Sequence, residues 1–256
     1  MIRTTTKFLA VSALALALAA CSGSGDSNKG TDKAAPTDVK IAQVAPPAGK
    51  KWEDMVEKTA DGGFRIGNPD AKVKVIEYAS LTCSHCAEFS KEAFEPMKAK
   101  YISSGQVSFE MRNFARDVID ASAAAITHCV GAERYYPLTE NVFASQEELF
   151  QGAQSADQAA AKQAESLPAD KRIGAIAKVV KLDQFFKARG VTEAEFNTCL
   201  ADTNNISALE KISKDGNDKF QITGTPTFII DGKKAEFGAD KTLWESLQTV
   251  LNEKLG

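Results

Sequence analysis

The stretch Val73-Lys-Val-Ile-Glu-Tyr-Ala-Ser-Leu-Thr-Cys83-Ser-His-Cys86-Ala-Glu-Phe89 joins an apolar run to a helical pattern at a pair of cysteines. Its first part, residues 73–78, is typical of a buried strand. Behind the cysteines, apolar residues recur at the spacing of one helix face, at Phe89, Ala93 and Met97. Cys83 is therefore expected at the N-terminus of a helix that follows a strand.

This position favours redox chemistry at the first cysteine. At a helix N-terminus, unpaired backbone N–H groups and the positive end of the helix dipole stabilise a thiolate. His85 lies between the two cysteines and can stabilise the same sulfur as a cation or as an N–H donor. We therefore expect a lowered pKa for Cys83. Cys86, one helical turn further on, is the expected resolving thiol.

A pair of cysteines at this spacing can also be half of a zinc site. Such a site needs two more ligands, usually with a close spacing of their own. The chain has two histidines, His85 and His128, and its later cysteines stand alone at 129 and 199. A redox pair is therefore favoured over a structural metal, and no metal site is predicted.

The length and composition of the chain limit the architectures that it can form. The chain has 256 residues, 43% of them hydrophobic and 8% aromatic, which is enough to bury the core of one globular domain with appendages. Its formal net charge of −3 and the absence of a basic cluster give no sign of nucleic-acid binding.

The first twenty residues are typical of a secretory leader. Arg3 and Lys7 form a basic start, and residues 8–20 form an apolar run too short to span a bilayer as a helix. Leu18-Ala-Ala-Cys21 resembles the bacterial lipobox, which implies that Cys21 is a lipid anchor at the start of the mature protein. The alternative is an ordinary signal peptide with a chance cysteine.

Residues 21–50 are rich in Ser, Gly, Asp, Lys and Pro, and a segment of this composition cannot build a core. We expect a disordered tether there. A short helix is predicted over 52–59. Phe64-Arg-Ile is predicted to pair as an edge strand.

A β-α-β unit is predicted around the cysteine pair. The helix should extend from Cys83 towards Tyr101 with an interruption near Pro96. Residues 107–114 alternate apolar and polar side chains as a strand does. The two strands should be parallel, since a helix connects them.

From about residue 117 to 219 the pattern is helical almost throughout. Separate helices are predicted over 121–130, 137–150, 173–189, 193–200 and 206–220. About a hundred helical residues therefore interrupt the α/β part of the chain.

The last part of the chain returns to strands. In Thr223-Gly-Thr-Pro-Thr-Phe-Ile-Ile-Asp-Gly232 the proline must lie at a strand start or edge, because it lacks a donor for the sheet. Asp231-Gly232 predicts a hairpin turn into a strand near 235–237. Residues 242–255 have the pattern of an amphipathic helix.

Together these residues resemble the thioredoxin superfamily and, within it, the DsbA-like periplasmic thiol–disulfide oxidoreductases. The match covers residues 50–255 and depends on four features: the strand ending in Glu77-Tyr-Ala-Ser, the Cys83-Ser-His-Cys86 site, the helical insertion, and Gly224-Thr-Pro-Thr-Phe. It implies an α/β thioredoxin fold with an inserted all-helical subdomain. The fold would comprise 51–116 and 220–256, and the insertion 117–219.

The resemblance assigns roles to matching positions. Cys83 would be the exposed nucleophile that forms mixed disulfides, and Cys86 the buried partner that resolves them. Pro226 would be a cis-proline lying against the active disulfide, and Thr225 would present backbone groups to an extended substrate peptide. Glu77 would be a buried acid that manages the proton of Cys86; the alternative is a solvated carboxylate at the strand end.

Ser84 departs from the oxidase pattern, which usually has proline there. The dipeptide Ser84-His85 tunes the thiolate, and a more stable thiolate makes the disulfide a stronger oxidant. The departure puts the strength of oxidation in question and leaves its chemistry unchanged.

Two cysteines remain once Cys21 is assigned to lipid and the active pair is set aside. In an oxidising compartment we predict a structural disulfide between Cys129 and Cys199, within the helical insertion. The alternatives are a second redox relay or two buried free thiols.

The favoured function is that of a dithiol oxidase that introduces disulfides into secreted proteins, with no cofactor except the Cys83–Cys86 disulfide. Its partners would be reduced or unfolded secreted proteins and, by resemblance, a quinone-coupled membrane protein that reoxidises it. We expect a monomer on the periplasmic side of a bacterial cell envelope. The alternatives are a reductase or isomerase of the same fold and, less favoured for want of Met and His clusters, a copper-handling lipoprotein.

Overall fold

The computed structural model describes residues 39–256, except for the side chains of 169 and 170. The predicted leader 1–20, the proposed anchor Cys21 and the first part of the tether lie outside the described residues. Where the tether prediction reaches into the structure, it is wrong. Ile41 packs against the core, and Val44 donates its backbone N–H to the carbonyl of Ser104 at 2.8 Å. Trp52 Nε1 donates to the carbonyl of Val44, also at 2.8 Å, so apolar residues attach this segment to the domain.

A six-stranded sheet forms the centre of the molecule, with the strand order β1-β2-β4-β3-β5-β6. Only β3 and β4 pair in parallel, and the other neighbours are antiparallel. The strands are β1 (Val56–Lys58), β2 (Phe64–Gly67), β3 (Val73–Ala79), β4 (Val107–Asn113), β5 (Thr227–Ile230) and β6 (Lys233–Lys234).

The helices are α1 (Ser84–Met97), α2 (Val118–Cys129), α3 (Ala132–Ala144), α4 (Gln146–Gln154), α5 (Gln158–Glu165), α6 (Ala169–Val179), α7 (Leu182–Lys187), α8 (Glu193–Ala201), α9 (Thr203–Phe220) and α10 (Leu243–Leu255). Helices α2 to α9 follow one another without a strand between them and form the helical insertion. The structure therefore has the predicted thioredoxin fold with its helical subdomain.

The predicted β-α-β unit is present as β3-α1-β4. Its parallel register runs from Val73 opposite Val107 to Ala79 opposite Asn113. Pro96 lies inside α1, and the α-helical hydrogen bonding ends one residue later, where a π-helical turn covers Lys98–Ile102. The proline thus marks the end of regular helix, as its missing N–H and ring predict.

Helices cover both faces of the sheet. Glu77 of β3 stands opposite Phe228 of β5, so both side chains lie on one face. Phe89 of α1 contacts Phe228 edge-on at 4.7 Å between ring centroids, which places α1 on that face. Tyr78, the next residue along β3, points the other way and contacts Phe220 of α9.

Three local predictions near the sheet edges are wrong. Residues 52–59 form no α-helix: a 3-10 turn covers Trp52–Asp54, and Val56 then pairs with Ile66 as β1. Strand β2 is consequently an inner strand. At the other edge, β6 occupies Lys233–Lys234, two residues before the predicted strand at 235–237. Asp231 and Gly232 both have positive φ, 50° and 80°, as a tight hairpin turn requires.

Two predicted helices of the insertion are each divided in two. The predicted helix 137–150 is replaced by α3 and α4, which meet at Ser145. The predicted helix 173–189 is replaced by α6 and α7, separated by Lys181 in a left-handed conformation (φ 61°). Non-glycine residues adopt this conformation rarely, which is why the periodicity did not indicate the break.

Candidate active site

Cys83 lies at the N-terminus of α1, as predicted. It is the residue that caps the helix, with extended backbone angles (φ −90°, ψ 121°), and its carbonyl accepts the N–H of Ala87 at 3.1 Å. Both Cys83 and Cys86 are thiols in this structure, 4% and 0% exposed. The expectation of an exposed nucleophile is therefore wrong: Cys83 is buried, because the loop that carries Thr225 packs on its sulfur, and Cys86 is fully buried.

Thr225, the residue before Pro226, lies against this sulfur. Tyr78 of β3 pairs with Thr227 of β5, so the end of β3 and the start of β5 meet at the same edge. The peptide bond between Thr225 and Pro226 is cis. Cys83 Sγ is 3.2 Å from the carbonyl oxygen of Thr225, a residue 142 positions further along the chain. The sheet thus unites the two segments that the sequence singled out.

Hydrogen bonds lower the pKa of Cys83 to about 4. The largest contribution is the thiol of Cys86, which donates to the Cys83 sulfur; the Thr225 side chain and the backbone N–H groups of Cys86 and His85 add to it, while partial burial opposes the shift. The Thr225 hydroxyl is buried and has no hydrogen-bond partner among the described residues while Cys83 is a thiol, so it is free to donate to a thiolate. The site stabilises a thiolate at Cys83.

His85 and Ser84 face solvent. The His85 side chain is 73% exposed, and its Nδ1 lies 3.7 Å from Glu88. Its contribution to the pKa of Cys83 comes from its backbone N–H. Ser84 is exposed as the first residue of α1. Both residues therefore line the rim through which a substrate would approach Cys83.

The pKa values of Cys86 and Glu77 are raised, whereas that of Cys83 is lowered. Burial raises the pKa of Cys86 well above its usual value, and its bond to Cys83 and the charge of Glu77 add to the rise. Glu77 is 3% exposed on the face of β3 beneath α1, and its Oε1 has no hydrogen-bond partner among the described residues. Burial, Glu140 and Cys83 together raise the pKa of Glu77 well above the ordinary value. Glu77 is thus a buried acid and not a solvated one.

Three residues of the site gave no signal in the sequence. Arg116 donates from Nε to the Ser80 hydroxyl at 3.0 Å. Asp120 of α2 and Gln146 of α4 contact the backbone of the loop that precedes Cys83. Asp120 and Gln146 lie in the segment predicted as helical insertion, where a polar residue is indistinguishable from one on a solvated helix face. Arg116 is the last residue before that segment and follows the predicted strand 107–114 in a stretch without a motif.

The remaining cysteines form a disulfide that links the end of α2 to α8. Cys129 and Cys199 have a Cα–Cα distance of 5.5 Å. The neighbouring His128 is buried, with Nε2 2.8 Å from Asn113 Oδ1. Burial, with a smaller effect of Lys58, lowers the pKa of His128 to about 3, so this histidine is a neutral packing residue.

The described part of the chain contains neither a clustered metal site nor a membrane-spanning helix. Between residues 39 and 256, no three or more His, Cys, Asp or Glu side chains are grouped as a metal site would require. Over the same residues, no helix combines the length and the apolarity needed to span a membrane.

Comparisons with known proteins give a consistent family. The thioredoxin family model matches residues 59–253. The chain is 24% identical to a Rickettsia bellii protein over 77% of its own length and 67% of that protein, and 25% identical to a Rickettsia conorii protein over 82% and 74%. Both relatives are provisionally named protein-disulfide oxidoreductases.

Comparison with solved structures supports the same family. The crystal structure of protein-disulfide isomerase from Novosphingobium aromaticivorans superposes with a TM-score of 0.69 at 30% identity, over 77% of this chain and 99% of that one. The fold is also that of Wolbachia pipientis alpha-DsbA1, with a TM-score of 0.56 at 24% identity over 75% of this chain and 89% of that one. Given the cysteine pair and the cis-proline loop at its centre, the chain belongs to the thioredoxin superfamily, as a DsbA-like thiol–disulfide oxidoreductase.

Proposed function

We propose that this oxidoreductase is a dithiol oxidase that introduces disulfides into secreted proteins. The observation that carries the proposal is the opposed acidity of two neighbouring sulfurs, since the pKa of Cys83 is lowered to about 4 and that of Cys86 is raised. A stable thiolate stabilises the reduced protein relative to its disulfide. The disulfide is then a strong oxidant and passes readily to a client.

The reaction begins with the Cys83–Cys86 disulfide. A client thiolate attacks the Cys83 sulfur, the bond between Cys83 and Cys86 breaks, and Cys86 leaves with the electron pair and takes up a proton. A second client thiolate then attacks the client sulfur of the mixed disulfide, and Cys83 leaves as a thiolate. The client has lost two electrons and gained a disulfide, and the active pair has been reduced to thiols.

Glu77 supplies the proton that Cys86 needs. Its raised pKa favours the protonated form, which can pass a proton to the departing Cys86 and take it back when the pair is reoxidised. Thr225 presents its backbone to the client segment bonded to Cys83, with Pro226 holding that loop against the sulfur. Ser84 and His85, exposed beside the sulfur, tune the thiolate through the start of the helix. No cofactor is needed besides the active pair.

The cellular context is also part of the proposal. A leader over residues 1–20 exports the chain, and Cys21 anchors it by lipid on the periplasmic side of the cell envelope. The protein is a monomer, its clients are reduced secreted proteins, and a quinone-coupled membrane protein reoxidises it. Incorporation of radiolabelled fatty acid into the wild type, and its loss in Cys21→Ala, tests the anchor without depending on redox activity.

A second candidate is an isomerase or reductase of the same fold. It is favoured by the name of the Novosphingobium aromaticivorans structure, a protein-disulfide isomerase. An isomerase or reductase must be reduced when it meets its client, whereas an oxidase must carry a disulfide. The redox equilibrium of the active pair therefore separates an oxidase from a reductase, whereas rearrangement of a scrambled disulfide by the dithiol form would indicate an isomerase.

The test is equilibration in graded glutathione buffers, followed by alkylation of free thiols and mass measurement. We expect the pair to remain dithiol except in strongly oxidising mixtures, and the disulfide form to oxidise a reduced, unfolded protein. Cys83→Ser should abolish this transfer, whereas Cys86→Ser should accumulate mixed disulfides through Cys83. A pair that is disulfide-bonded even in strongly reducing buffers contradicts the oxidase, and turnover by Cys83→Ser contradicts the assigned nucleophile.

A further inference from the structure

The loop that carries the nucleophile is buried. Ser80 and Leu81 are fully buried, and Thr82 is 7% exposed, although these residues belong to neither β3 nor α1. Buried backbone N–H and C=O groups need hydrogen-bond partners. Two bonds are internal: Cys83 N–H donates to the carbonyl of Ser80 at 3.1 Å, and Thr82 N–H donates to the Ser80 hydroxyl at 3.2 Å. Other partners come from side chains of the helical insertion and from Arg116 just ahead of it.

Three such side chains hold the loop. Asp120 Oδ1 accepts the N–H of Leu81 at 2.9 Å. Arg116 Nη2 donates to the carbonyl of Thr82 at 2.9 Å. Gln146 Nε2 donates to the carbonyls of Leu81 and Cys83, at 2.8 Å and 3.0 Å. The helical insertion thus contacts the backbone of Leu81 and of the nucleophile itself, and Arg116, just ahead of the insertion, contacts Thr82 between them.

Gln146 is the one of these three that contacts Cys83 directly. Its amide nitrogen carries two hydrogens, and the two carbonyls on either side of Thr82 use both. The side chain is buried at the start of α4, 63 residues from Cys83 in sequence. A single rigid group therefore fixes the spacing and direction of two loop carbonyls.

The direction of the Cys83 carbonyl matters for the sulfur. This carbonyl also accepts the N–H of Ala87, the bond that begins α1. Rotation of that peptide would move Cys83 relative to the backbone N–H groups of His85 and Cys86, which lower its pKa. Hydrogen bonds to an ionised group depend strongly on distance and direction.

We propose that Gln146 is a positioning residue for Cys83: it holds the carbonyls of Leu81 and Cys83 so that the sulfur stays over the first N–H groups of α1. The helical insertion would then be part of the active site and not only a neighbouring subdomain. This inference rests on the proposed function, in which Cys83 is the nucleophile.

The test replaces Gln146 by methionine, which has a similar volume and no donor. Gln151→Met is the matched control, because Gln151 lies on the same helix, is exposed, and its amide contacts Glu147 at 3.3 Å. Neither change alters the titratable and charged groups around Cys83 and its loop, which are Glu77 on β3, His85 and Cys86 on α1, Arg116 ahead of α2, and Asp120 on α2.

For Gln146→Met we expect the pKa of Cys83 to rise by about one unit, since a hydrogen bond that serves a charged group has that order of effect. The glutathione equilibrium should shift about tenfold towards the disulfide form, because one pKa unit is a factor of ten in thiolate stability. Client oxidation should slow, and Gln151→Met should match the wild type in all three measurements.

A purely structural role gives a different result. If Gln146→Met lowers the unfolding midpoint but leaves the Cys83 titration and the glutathione equilibrium of the wild type, the positioning role is wrong. Should Gln146→Met not fold, Gln146→Asn carries the same test, since it withdraws the donors by one methylene while keeping the amide. A wild type without an acidic Cys83 contradicts the proposed function itself, so the two failures are distinguishable.

Discussion

Cys83 Sγ lies 3.2 Å from the carbonyl oxygen of Thr225, and a neutral thiol donates to that oxygen. A thiolate has no hydrogen to donate, so ionisation of Cys83 replaces this bond with bonds donated to the sulfur. The donors are the thiol of Cys86, the Thr225 side chain and the N–H groups at the start of α1. The site therefore has one hydrogen-bond arrangement for each protonation state, and the pKa of Cys83 reports the balance between them.

The first prediction concerns that balance. The thiolate absorbance of the reduced protein should titrate with a midpoint near pH 4, because the pKa of Cys83 is lowered to about 4. Cys86→Ala should raise the midpoint, since the Cys86 thiol is the largest stabilising donor. Cys83→Ser should remove the transition and so assign it. A midpoint that Cys86→Ala leaves unchanged would show that the helix start alone makes the thiolate.

The lowered pKa of Cys83 also determines whether the dithiol form becomes more or less stable as the pH falls. The pKa of a cysteine in an unfolded chain is about 8.5. A folded-state pKa below that value adds stability above the unfolded pKa, and this stability is lost as the pH falls towards 4. In the disulfide form Cys83 has no thiol, so it does not titrate in this pH range. The unfolding midpoint of the dithiol form, relative to that of the disulfide form, should therefore fall steadily between about pH 8.5 and pH 4.

The second prediction concerns Glu77. Burial is the largest cause of the raised pKa of Glu77 in the folded protein. The stability that this raised pKa contributes is therefore fully present below the pKa of the unfolded chain, and it is lost as the pH rises through the pKa of the folded protein. Glu77→Gln removes this loss. The variant should gain stability over the wild type as the pH is raised from 4 to 8, and each kcal/mol corresponds to roughly 2–4 °C in melting temperature.

The same variant should slow the protonation of the departing Cys86, which then remains a thiolate that can attack Cys83 again, so the lifetime of mixed disulfides measured after an acid quench should be shorter. Glu92→Gln is a suitable control, because Glu92 is exposed on α1. A stability difference that does not change with pH would mean that Glu77 is ionised in the folded protein at all these values, contrary to its assigned role.

Residues with strong local signals were predictable from the sequence. The strand β3, the helix that starts after Cys83 and the turn at Asp231-Gly232 each depend on neighbouring residues alone. The short strand β1 was not predictable, because its three residues are strands only through pairing with β2. Gln146 was not predictable either, since its role depends on carbonyls 63 and 65 residues away. Which face of β3 carries Glu77 was uncertain, because a shift by one residue exchanges the two faces of a strand.

The third prediction concerns the disulfide of the helical insertion. Cys129 and Cys199 close a loop with a sequence separation of 70, and on the chain-entropy model such a bond contributes about 4 kcal/mol by restricting the unfolded chain. The double variant Cys129→Ser/Cys199→Ser should lose about that much free energy of unfolding in denaturant titrations. Its Cys83 titration should be that of the wild type.

The control for this variant is alkylation of the native protein without reduction, which should leave Cys129 and Cys199 unlabelled. Alkylation of Cys129 would show that the disulfide between Cys129 and Cys199 is absent. A double variant of unchanged stability that oxidises clients more slowly would instead make this pair a redox relay, the alternative left open by the sequence.

The last prediction compares two glycines in helices. A Cβ at Gly216 of α9 would lie 2.6 Å from Tyr78 Cε1. Tyr78 is fully buried, and its hydroxyl accepts from Arg112 at 3.1 Å, so its ring has little freedom to move away. At Gly174 of α6 the nearest atom to such a Cβ is 3.8 Å away, an ordinary contact. Gly216→Ala should therefore cost about 1–3 kcal/mol of unfolding free energy, as overpacking does. Gly174→Ala should add up to about 1 kcal/mol, the helix propensity that alanine has over glycine.

Denaturant titrations with the disulfide of the insertion intact measure both changes. Equal shifts of the two variants would mean that propensity alone governs these positions and that α9 does not pack closely against β3.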